Sequence, residues 1–211
     1  MYGVVGLLVG VAAIFAFSAS GWLYSPDEKV SVIGARHLVN KLVEQNFDSY
    51  NQRSIRKQIT ECLRDSYQYL AMSMYFDQAE VALPGFHKMF KEYSNREMSN
   101  AVKLMTYMNL REGSNKFLGI PEPKISYEWH DGETALITAL RMEHKANTKF
   151  RTIIQLALEK HDPHLKQFIE DSFLDQKVKV IKELGDKVTQ LGKYRSEEPG
   201  LGLQMFDNTL L

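Results

Sequence analysis

The stretch DPHLKQFIEDSFLDQKVKVIKELGDKVTQL, residues 162–191, decides the fold because it predicts one long amphipathic helix. Asp162 is a favourable N-cap, and Pro163 suits the first helical position. Gly192 is predicted to end the helix. Nine residues follow the inward spacing of three and four: Leu165, Phe168, Ser172, Leu174, Lys177, Ile181, Leu184, Val188 and Leu191. Lys177 therefore places a positive charge within an otherwise mainly apolar stripe.

Three earlier segments repeat this helical spacing. They cover residues 51–77, residues 84–113 and a third segment that starts near Asp131 and includes 136–157. The Gly- and Pro-containing connection at 119–123 is too long for a tight hairpin and is predicted to cross the length of the bundle. Residues 201–211 predict a short fifth helix. No strand pattern competes, so the expected fold is all-α: a four-helix bundle with a long crossover and a short C-terminal helix.

Composition limits the classes of function. The chain has 211 residues, which suits one core, and its 26 basic residues balance 26 acidic ones. A neutral balance without a basic run gives no electrostatic basis for nucleic-acid binding, so no such partner is expected. Cys62 is the single cysteine, which excludes an internal disulfide and favours a buried thiol.

The N-terminal region differs from the rest. Residues 4–17 are apolar or small, and the small residues 18–21 offer a signal-peptidase site, so we interpret residues 1–20 as a secretory signal peptide. Residues 21–50 would form an extension, and residues 51–211 the bundle domain. This predicts a secretory or extracellular protein without stable membrane insertion after signal removal. An uncleaved N-terminal membrane anchor is the alternative.

Charged residues interrupt the apolar stripes of three predicted helices. Glu97, Glu143 and Lys177 each have apolar neighbours at three and four residues. Because a buried charge is costly unless it is paired or bound to metal, two explanations compete. One is a remnant metal pocket. The other, which the positive charge of Lys177 favours, is an internal ion-pair cluster.

Several separate motifs resemble the eukaryotic ferritins. Residues 66–77 resemble the first ferritin helix, residues 81–86 the following turn, and residues 162–191 the fourth helix, including Ile-Lys-Glu-Leu-Gly-Asp. The resemblance covers residues 58–206. It implies a ferritin-like four-helix bundle that assembles into a hollow cage of 24 subunits and stores ferric iron as cargo, without an organic cofactor.

The resemblance also implies where a ferroxidase site would lie. Active members use Glu and Tyr from the first helix, Glu-x-x-His from the second, Glu from the third and Gln from the fourth. This chain keeps Tyr69, Glu97 and Glu143 as candidate metal ligands. It departs at three positions, with Cys62 for Glu, Asn100 for His and Lys177 for Gln.

Other acidic positions of the family are also altered. Glu61 precedes Cys62, but one residue is a rotation of about 100° around a helix, so Glu61 is expected to face elsewhere. The family's cavity glutamates correspond to Arg96, Ser99 and Val102. At the threefold channel Gln167 replaces one acid, and Glu170 matches the other and is a further candidate metal residue.

These departures predict an iron-storage subunit that is non-catalytic and assembles with a catalytic ferritin subunit. Whether any ferroxidase activity remains is left open. One alternative is an active ferroxidase that uses an altered site with Tyr69, Glu97, Glu143 and Glu61. The other is a ferritin-like cage with a structural or protective role unrelated to iron.

Overall fold

The computed structural model describes residues 32–124, 129, 131–194 and 199–211, and these residues form helices and connections without a strand. The helices are α1 (Val32–Glu44), α2 (Ser49–Phe76), α3 (Pro84–Leu110), α4 (Glu133–Glu159), α5 (Pro163–Ile169), α6 (Asp175–Tyr194) and α7 (Pro199–Asn208). A π-helical turn, Glu170–Leu174, joins α5 to α6. Helix α2 packs mainly on α3, and α4 on α5 and α6. The all-α bundle is confirmed; the predicted signal peptide, residues 1–20, lies outside the described residues.

The long crossover is also confirmed. Residues 111–132 connect α3 to α4, and the first part of this connection runs along α2. Near one end, Arg56 donates a hydrogen bond to the Ser114 carbonyl at 3.2 Å. About three turns along the helix, Gln68 exchanges two hydrogen bonds of 2.8 Å with the backbone of Lys124. The polar backbone of the connection therefore finds its partners on the outer face of α2.

The segment predicted as a weakly patterned extension contains a helix. In α1, Leu38, Val39 and Leu42 are exposed, so this helix does not contribute them to the bundle core. The turn after α1 is fixed instead. Phe47 is 1% exposed, and the Arg111 guanidinium donates a hydrogen bond of 3.3 Å to the Gln45 carbonyl. The extension thus leaves the bundle from a defined point.

The final long helix differs from its prediction in two ways. Gly192 does not end it, because the helix continues to Tyr194 and Gly192 lacks the left-handed conformation of a C-cap glycine. Its inward face also differs. Of the nine predicted inward positions, Phe168, Ser172, Leu174, Ile181 and Val188 are only partly buried, while Ile169, Phe173 and Val180 are buried.

The π turn explains the changed face. A regular helix of 3.6 residues per turn that buries Leu165 and Ile169 would next turn residues near 172 and 176 inward. The wider π turn accommodates one additional residue, so Phe173 and then Lys177 are buried. The π turn therefore aligns the inward face of α6, on which Lys177 lies with Val180 and Leu184, with the buried residues of α5.

Helix α7 caps the start of α3 from a distant part of the chain. Leu83 occupies the N-cap position of α3 and offers no capping side chain. The Asp207 carboxylate accepts hydrogen bonds from the backbone N–H groups of Gly85 at 3.0 Å and Phe86 at 2.8 Å. This contact satisfies two donors that a helix start would otherwise leave unpaired and fixes α7 on the bundle.

We expect Gly85→Ala to disrupt this cap. A Cβ atom at residue 85 would lie 2.0 Å from the Asp207 carbonyl oxygen, so α7 would have to move. The expected loss is about 1–3 kcal/mol of unfolding free energy, which is usual for overpacking. Thermal unfolding of the assembled protein measures it. Gly185→Ala is the matched control, because nothing lies within 4 Å of its Cβ and the change should be neutral or stabilising. Equal melting of both variants would contradict the role of Gly85.

Candidate functional site

A polar layer divides the interior of the bundle into two apolar clusters. One cluster contains Tyr69, Tyr93, Ala139 and Val180, and the other contains Cys62, Ala101, Phe150 and Phe173. The polar layer lies between them on α3, α4 and α6, where Glu97, Glu143 and Lys177 are each at most 1% exposed. All three charged residues that interrupt the predicted apolar stripes therefore meet in one place.

Lys177 forms the centre of this layer. Its ammonium Nζ lies 2.6 Å from Glu97 Oε1 and 2.7 Å from Glu143 Oε2. These are short, charge-assisted hydrogen bonds between fully buried groups. The ion-pair cluster predicted from the sequence is therefore confirmed, with one cation bridging carboxylates from α3 and α4.

Two further residues complete the environment of Glu143. The Tyr69 hydroxyl donates a hydrogen bond of 2.9 Å to Glu143 Oε1. Arg96 Nη2 lies 3.2 Å from the same oxygen, and Arg96 Nε lies 4.0 Å from Glu97 Oε1. The Arg96 guanidinium also rests on the Tyr93 ring, 4.1 Å from its centroid. The layer thus contains two carboxylates and two cations.

Arg96 is the residue that sequence reasoning assigned to a different role. Its alignment predicted a position on the cavity surface, yet its side chain is only 19% exposed and reaches the ion cluster. Neighbouring residues on a helix point about 100° apart, so spacing gave no sign that Arg96 and Glu97 act together. The long arginine stem and the Tyr93 ring allow the guanidinium to reach inward.

Cys62 and Asn100 occupy the other two altered positions. Asn100 Nδ2 donates hydrogen bonds to Glu97 Oε1 at 3.2 Å and Gln176 Oε1 at 3.0 Å. Cys62 is buried as predicted, and Gln58 Nε2 lies 3.6 Å from its sulfur. Burial, together with the charge of Glu97, raises the pKa of Cys62 well above its ordinary value. The thiol is therefore held in its protonated form at neutral pH.

Electrostatics maintain the cation at the centre. Burial lowers the pKa of Lys177, but the carboxylates of Glu97 and Glu143 outweigh this effect and raise it above the usual value. Burial also raises the pKa of Glu97, against the opposing effect of Lys177. Burial and the nearby Glu143 carboxylate raise the pKa of Tyr69 well above its ordinary value, so its hydroxyl remains a donor.

The donor set fits an internal cation better than an iron pair. Glu143 uses both oxygens on Tyr69, Arg96 and Lys177. Glu97 Oε2 and Asn100 Oδ1 are buried oxygens that accept no hydrogen bond from the described residues. Two oxygens from one helix are too few for two iron ions, which need several oxygen and nitrogen ligands. Within the described ranges, no three His, Cys, Asp or Glu side chains are grouped to hold a metal ion.

Glu61 and Glu170 lie outside this layer. Glu61 faces the outer surface, where it pairs with Arg64 at 2.6 Å and with Lys149, as the helical rotation predicted. Glu170 is partly exposed and pairs with Lys166 at 2.7 Å. Of the four candidate metal residues from the sequence, the structure brings together Tyr69, Glu97 and Glu143, but not Glu170. Ser99 and Val102 are exposed on α3.

Comparison with known families gives one assignment. The family model Ferritin, described as a ferritin-like domain, matches residues 52–193, which is more than half of the chain. The matched segment begins within α2 and ends within α6, so it includes Glu97, Glu143 and the bridging Lys177. In the part of the chain that the structure describes, no helix has the length and apolar character to cross a membrane.

Proposed function

The chain belongs to the ferritin family, and on this premise we propose that it is a non-catalytic iron-storage subunit of the family's oligomeric cage. Iron would be its cargo, held as ferric iron in the cavity. The fold and the matched family support the storage role. The polar layer supports the absence of catalysis.

The bridging ammonium of Lys177 is the observation on which this proposal depends. It lies 2.6 and 2.7 Å from the two carboxylates that this chain retains from the family's oxidation site. A divalent iron ion between those carboxylates would have to displace the buried ammonium and leave it without a counterion. Leaving a buried charge unpaired is strongly unfavourable, so the layer disfavours iron binding.

Arg96 adds a second barrier to iron. Together with Lys177 it brings the formal charge of the Glu97 and Glu143 layer to zero, because two cations oppose two carboxylates. A site without net negative charge does not attract divalent cations. The amide of Asn100 and the protonated thiol of Cys62 supply no compensating negative charge.

We further propose that the subunit assembles with a catalytic ferritin subunit in a 24-subunit cage. A shell that stores ferric iron needs a partner that oxidises ferrous iron quickly, and this chain lacks the means to do so. Residues 1–20 have the composition of a secretory signal peptide, so the mixed cage would form in the secretory pathway and act there or outside the cell.

Ferrous iron oxidation by the purified homopolymer tests the proposal. The cage is prepared without oxygen, mixed with ferrous iron at two ions per subunit, and exposed to air while ferric absorbance is recorded. We expect only slow oxidation, close to that of iron in buffer. A rapid phase that saturates at two irons per subunit would show that the subunit is catalytic.

Co-expression with a catalytic ferritin subunit provides the test of assembly. We expect both chains to elute in one cage-sized particle, and the mixed cage to oxidise iron at a rate set by its content of the catalytic chain. Two separate homopolymers would exclude co-assembly while leaving the oxidation result unaffected.

A further inference from the structure

We propose that the seam between α2 and α4 binds a linear sulfated polysaccharide. Six basic side chains line this seam and define what we call the basic seam: Arg53, Lys57 and Arg64 on α2, with Arg141, Lys145 and Lys149 on α4. None of these residues belongs to the polar layer, and the proposed iron storage does not depend on them. The proposal therefore adds an interaction surface to the function described above.

The two helices bring their basic residues onto one face. Glu61 pairs with Lys149, and further along α2 the Tyr69 hydroxyl approaches the Ala139 carbonyl at 3.4 Å, so α2 and α4 run antiparallel. Residues 53, 57 and 64 share one side of α2, and residues 141, 145 and 149 share one side of α4. At 1.5 Å per residue, the two rows are about 16 and 12 Å long. They form a strip that is longer than a single small anion.

Several side chains of the basic seam lack the ion pairs that lysines make on other helices of the bundle. On α5 and α6, Lys166, Lys179, Lys182 and Lys187 each pair with an acid one turn away. Within the described ranges, four basic-seam residues pair with no acid: Arg53, Lys57, Arg141 and Lys145. They are exposed, so their positive charge is available to a partner.

Acidic residues are scarce along this surface. Between Glu133 and Glu159 the sequence of α4 contains one acid, Glu143, and it is buried and paired inside the bundle. On α2, Glu61 lies at the seam but is neutralised by Lys149 and Arg64. The whole chain has as many acidic as basic residues, so the positive charge of the seam results from segregation of charge within the fold.

A groove along the seam adds one neutral hydrogen-bond donor, the Ser54 hydroxyl. Its volume is about 340 Å³, and its lining includes Lys57, Lys149 and three hydroxyl residues, Ser54, Thr60 and Thr152. The Thr60 and Thr152 hydroxyls donate to the backbone carbonyls of Arg56 and Thr148, so the Lys57 ammonium and the Ser54 hydroxyl are the groups of the groove that can donate to sulfate oxygens. The arrangement suits an anionic chain that lies in the groove and places charged groups at intervals along it.

The lining of the groove favours a polysaccharide over other polyanions. Among the residues that the structure describes, no aromatic side chain lines it, whereas proteins that bind single-stranded nucleic acid usually stack bases on aromatic rings. Leu118 and Ile153 are the large apolar residues of its described lining, and they give little surface for insertion into a lipid bilayer. Clusters of basic residues without such features are typical of surfaces that bind heparin-like chains.

Titration of the intact, assembled protein with a fluorescent heparin dodecasaccharide tests this proposal at several salt concentrations. The variant Lys57→Gln/Arg141→Gln/Lys145→Gln removes three unpaired charges. We expect this variant to bind heparin at least about tenfold more weakly at moderate salt. The slope of log Kd against log salt concentration should decrease by about three, one for each lost ionic contact. Size-exclusion chromatography checks that the variant still assembles.

Two matched variants separate the seam from general charge effects. Lys179→Gln/Lys182→Gln/Lys187→Gln removes the same charge from α6 and should change affinity by less than about twofold. Arg53→Lys/Arg141→Lys keeps the charge and should retain binding. Absence of heparin binding by the unaltered protein would overturn the proposal, as would equal losses in the two glutamine variants. Tighter binding of a single-stranded oligonucleotide of equal charge would also overturn it.

Discussion

Lys177→Met is expected to lower the free energy of unfolding by about 3–5 kcal/mol, the usual cost of removing one partner from a buried ion pair. Methionine matches the length of the lysine stem but leaves Glu97 and Glu143 without the ammonium that lies 2.6 and 2.7 Å from them. Arg96 would remain near both carboxylates at 4.0 and 3.2 Å and offset only part of the loss. Thermal and denaturant unfolding of the assembled protein measure the effect.

Lys179→Met provides the matched control. Lys179 lies two residues further along α6, its side chain is 75% exposed, and it pairs with Asp175 on the surface. Because an exposed pair contributes little, this change should alter stability by about 0.5 kcal/mol or less. Equal effects of the two substitutions would contradict a special role for the buried lysine.

The pH dependence should distinguish lost charge pairing from lost packing. Without Lys177, the pKa of the buried Glu97 carboxyl should rise further above its ordinary value of 4.5. A carboxyl with a raised folded pKa contributes stability at low pH that is lost as pH rises through that pKa. In the unaltered protein, the pKa of Lys177 is raised above its ordinary value of 10.5. Its contribution to folding stability is therefore fully present below about pH 10.5 and is lost at higher pH.

The stability difference between Lys177→Met and the unaltered protein should therefore be small near pH 5 and grow toward pH 8. A difference that is independent of pH would indicate a packing defect alone. Addition of Glu97→Gln to Lys177→Met removes one of the uncompensated charges, so the double variant should recover part of the lost stability. Failure to recover any stability would argue against charge burial as the cause.

Restoration of iron oxidation is the second large expected effect. The variant Cys62→Glu/Asn100→His/Lys177→Gln/Arg96→Gln returns three ferroxidase residues to those of active ferritins and removes the second cation. The retained residues Glu97, Glu143 and Tyr69 already meet in the polar layer. Cys62 lies close enough to Glu97 for the Glu97 charge to raise its pKa, so a side chain introduced at residue 62 would face the same space. Residues that only orient metal ligands typically change activity by about 10- to 100-fold. We expect the initial rate of ferrous iron oxidation to rise by more than this, because the variant restores the ligands themselves.

The same variant without Arg96→Gln serves as the control for this experiment. Arg96 would then still occupy Glu143 Oε1 at 3.2 Å, so we expect the three-residue variant to oxidise iron more slowly than the four-residue variant. Equal rates of the two variants would show that Arg96 does not hinder iron oxidation. No increase in either variant, with cages of normal size, would mean that the departures at these positions are not what prevents oxidation.

The helices and their buried charges could be predicted because both depend on local spacing. Apolar residues at intervals of three and four predicted the four long helices, and the same spacing turned Glu97, Glu143 and Lys177 toward the interior. The positive charge of Lys177 then favoured an ion pair, which the structure confirms. The rotation of one residue around a helix also placed Glu61 outside the site.

The errors occurred where geometry departs from regular spacing or depends on distant residues. Helical periodicity predicted Ser172 and Leu174 as inward positions, but the π turn at Glu170–Leu174 changed the face of the helix there. Asp207 caps a helix that begins more than 120 residues earlier, and no local motif relates the two. The sequence around Leu38 is weakly patterned and predicts only an extension, whereas the structure contains a helix there.

The sequence by itself determined the all-α bundle, the family resemblance and the presence of three charged residues in its interior, because side-chain polarity and helical period act locally. Only the tertiary structure decided that Lys177 bridges both carboxylates, that Arg96 joins them, and that basic residues of α2 and α4 form one surface. The physical reason is that ion pairing and surface charge depend on distances between helices, and packing together with the π turn sets those distances.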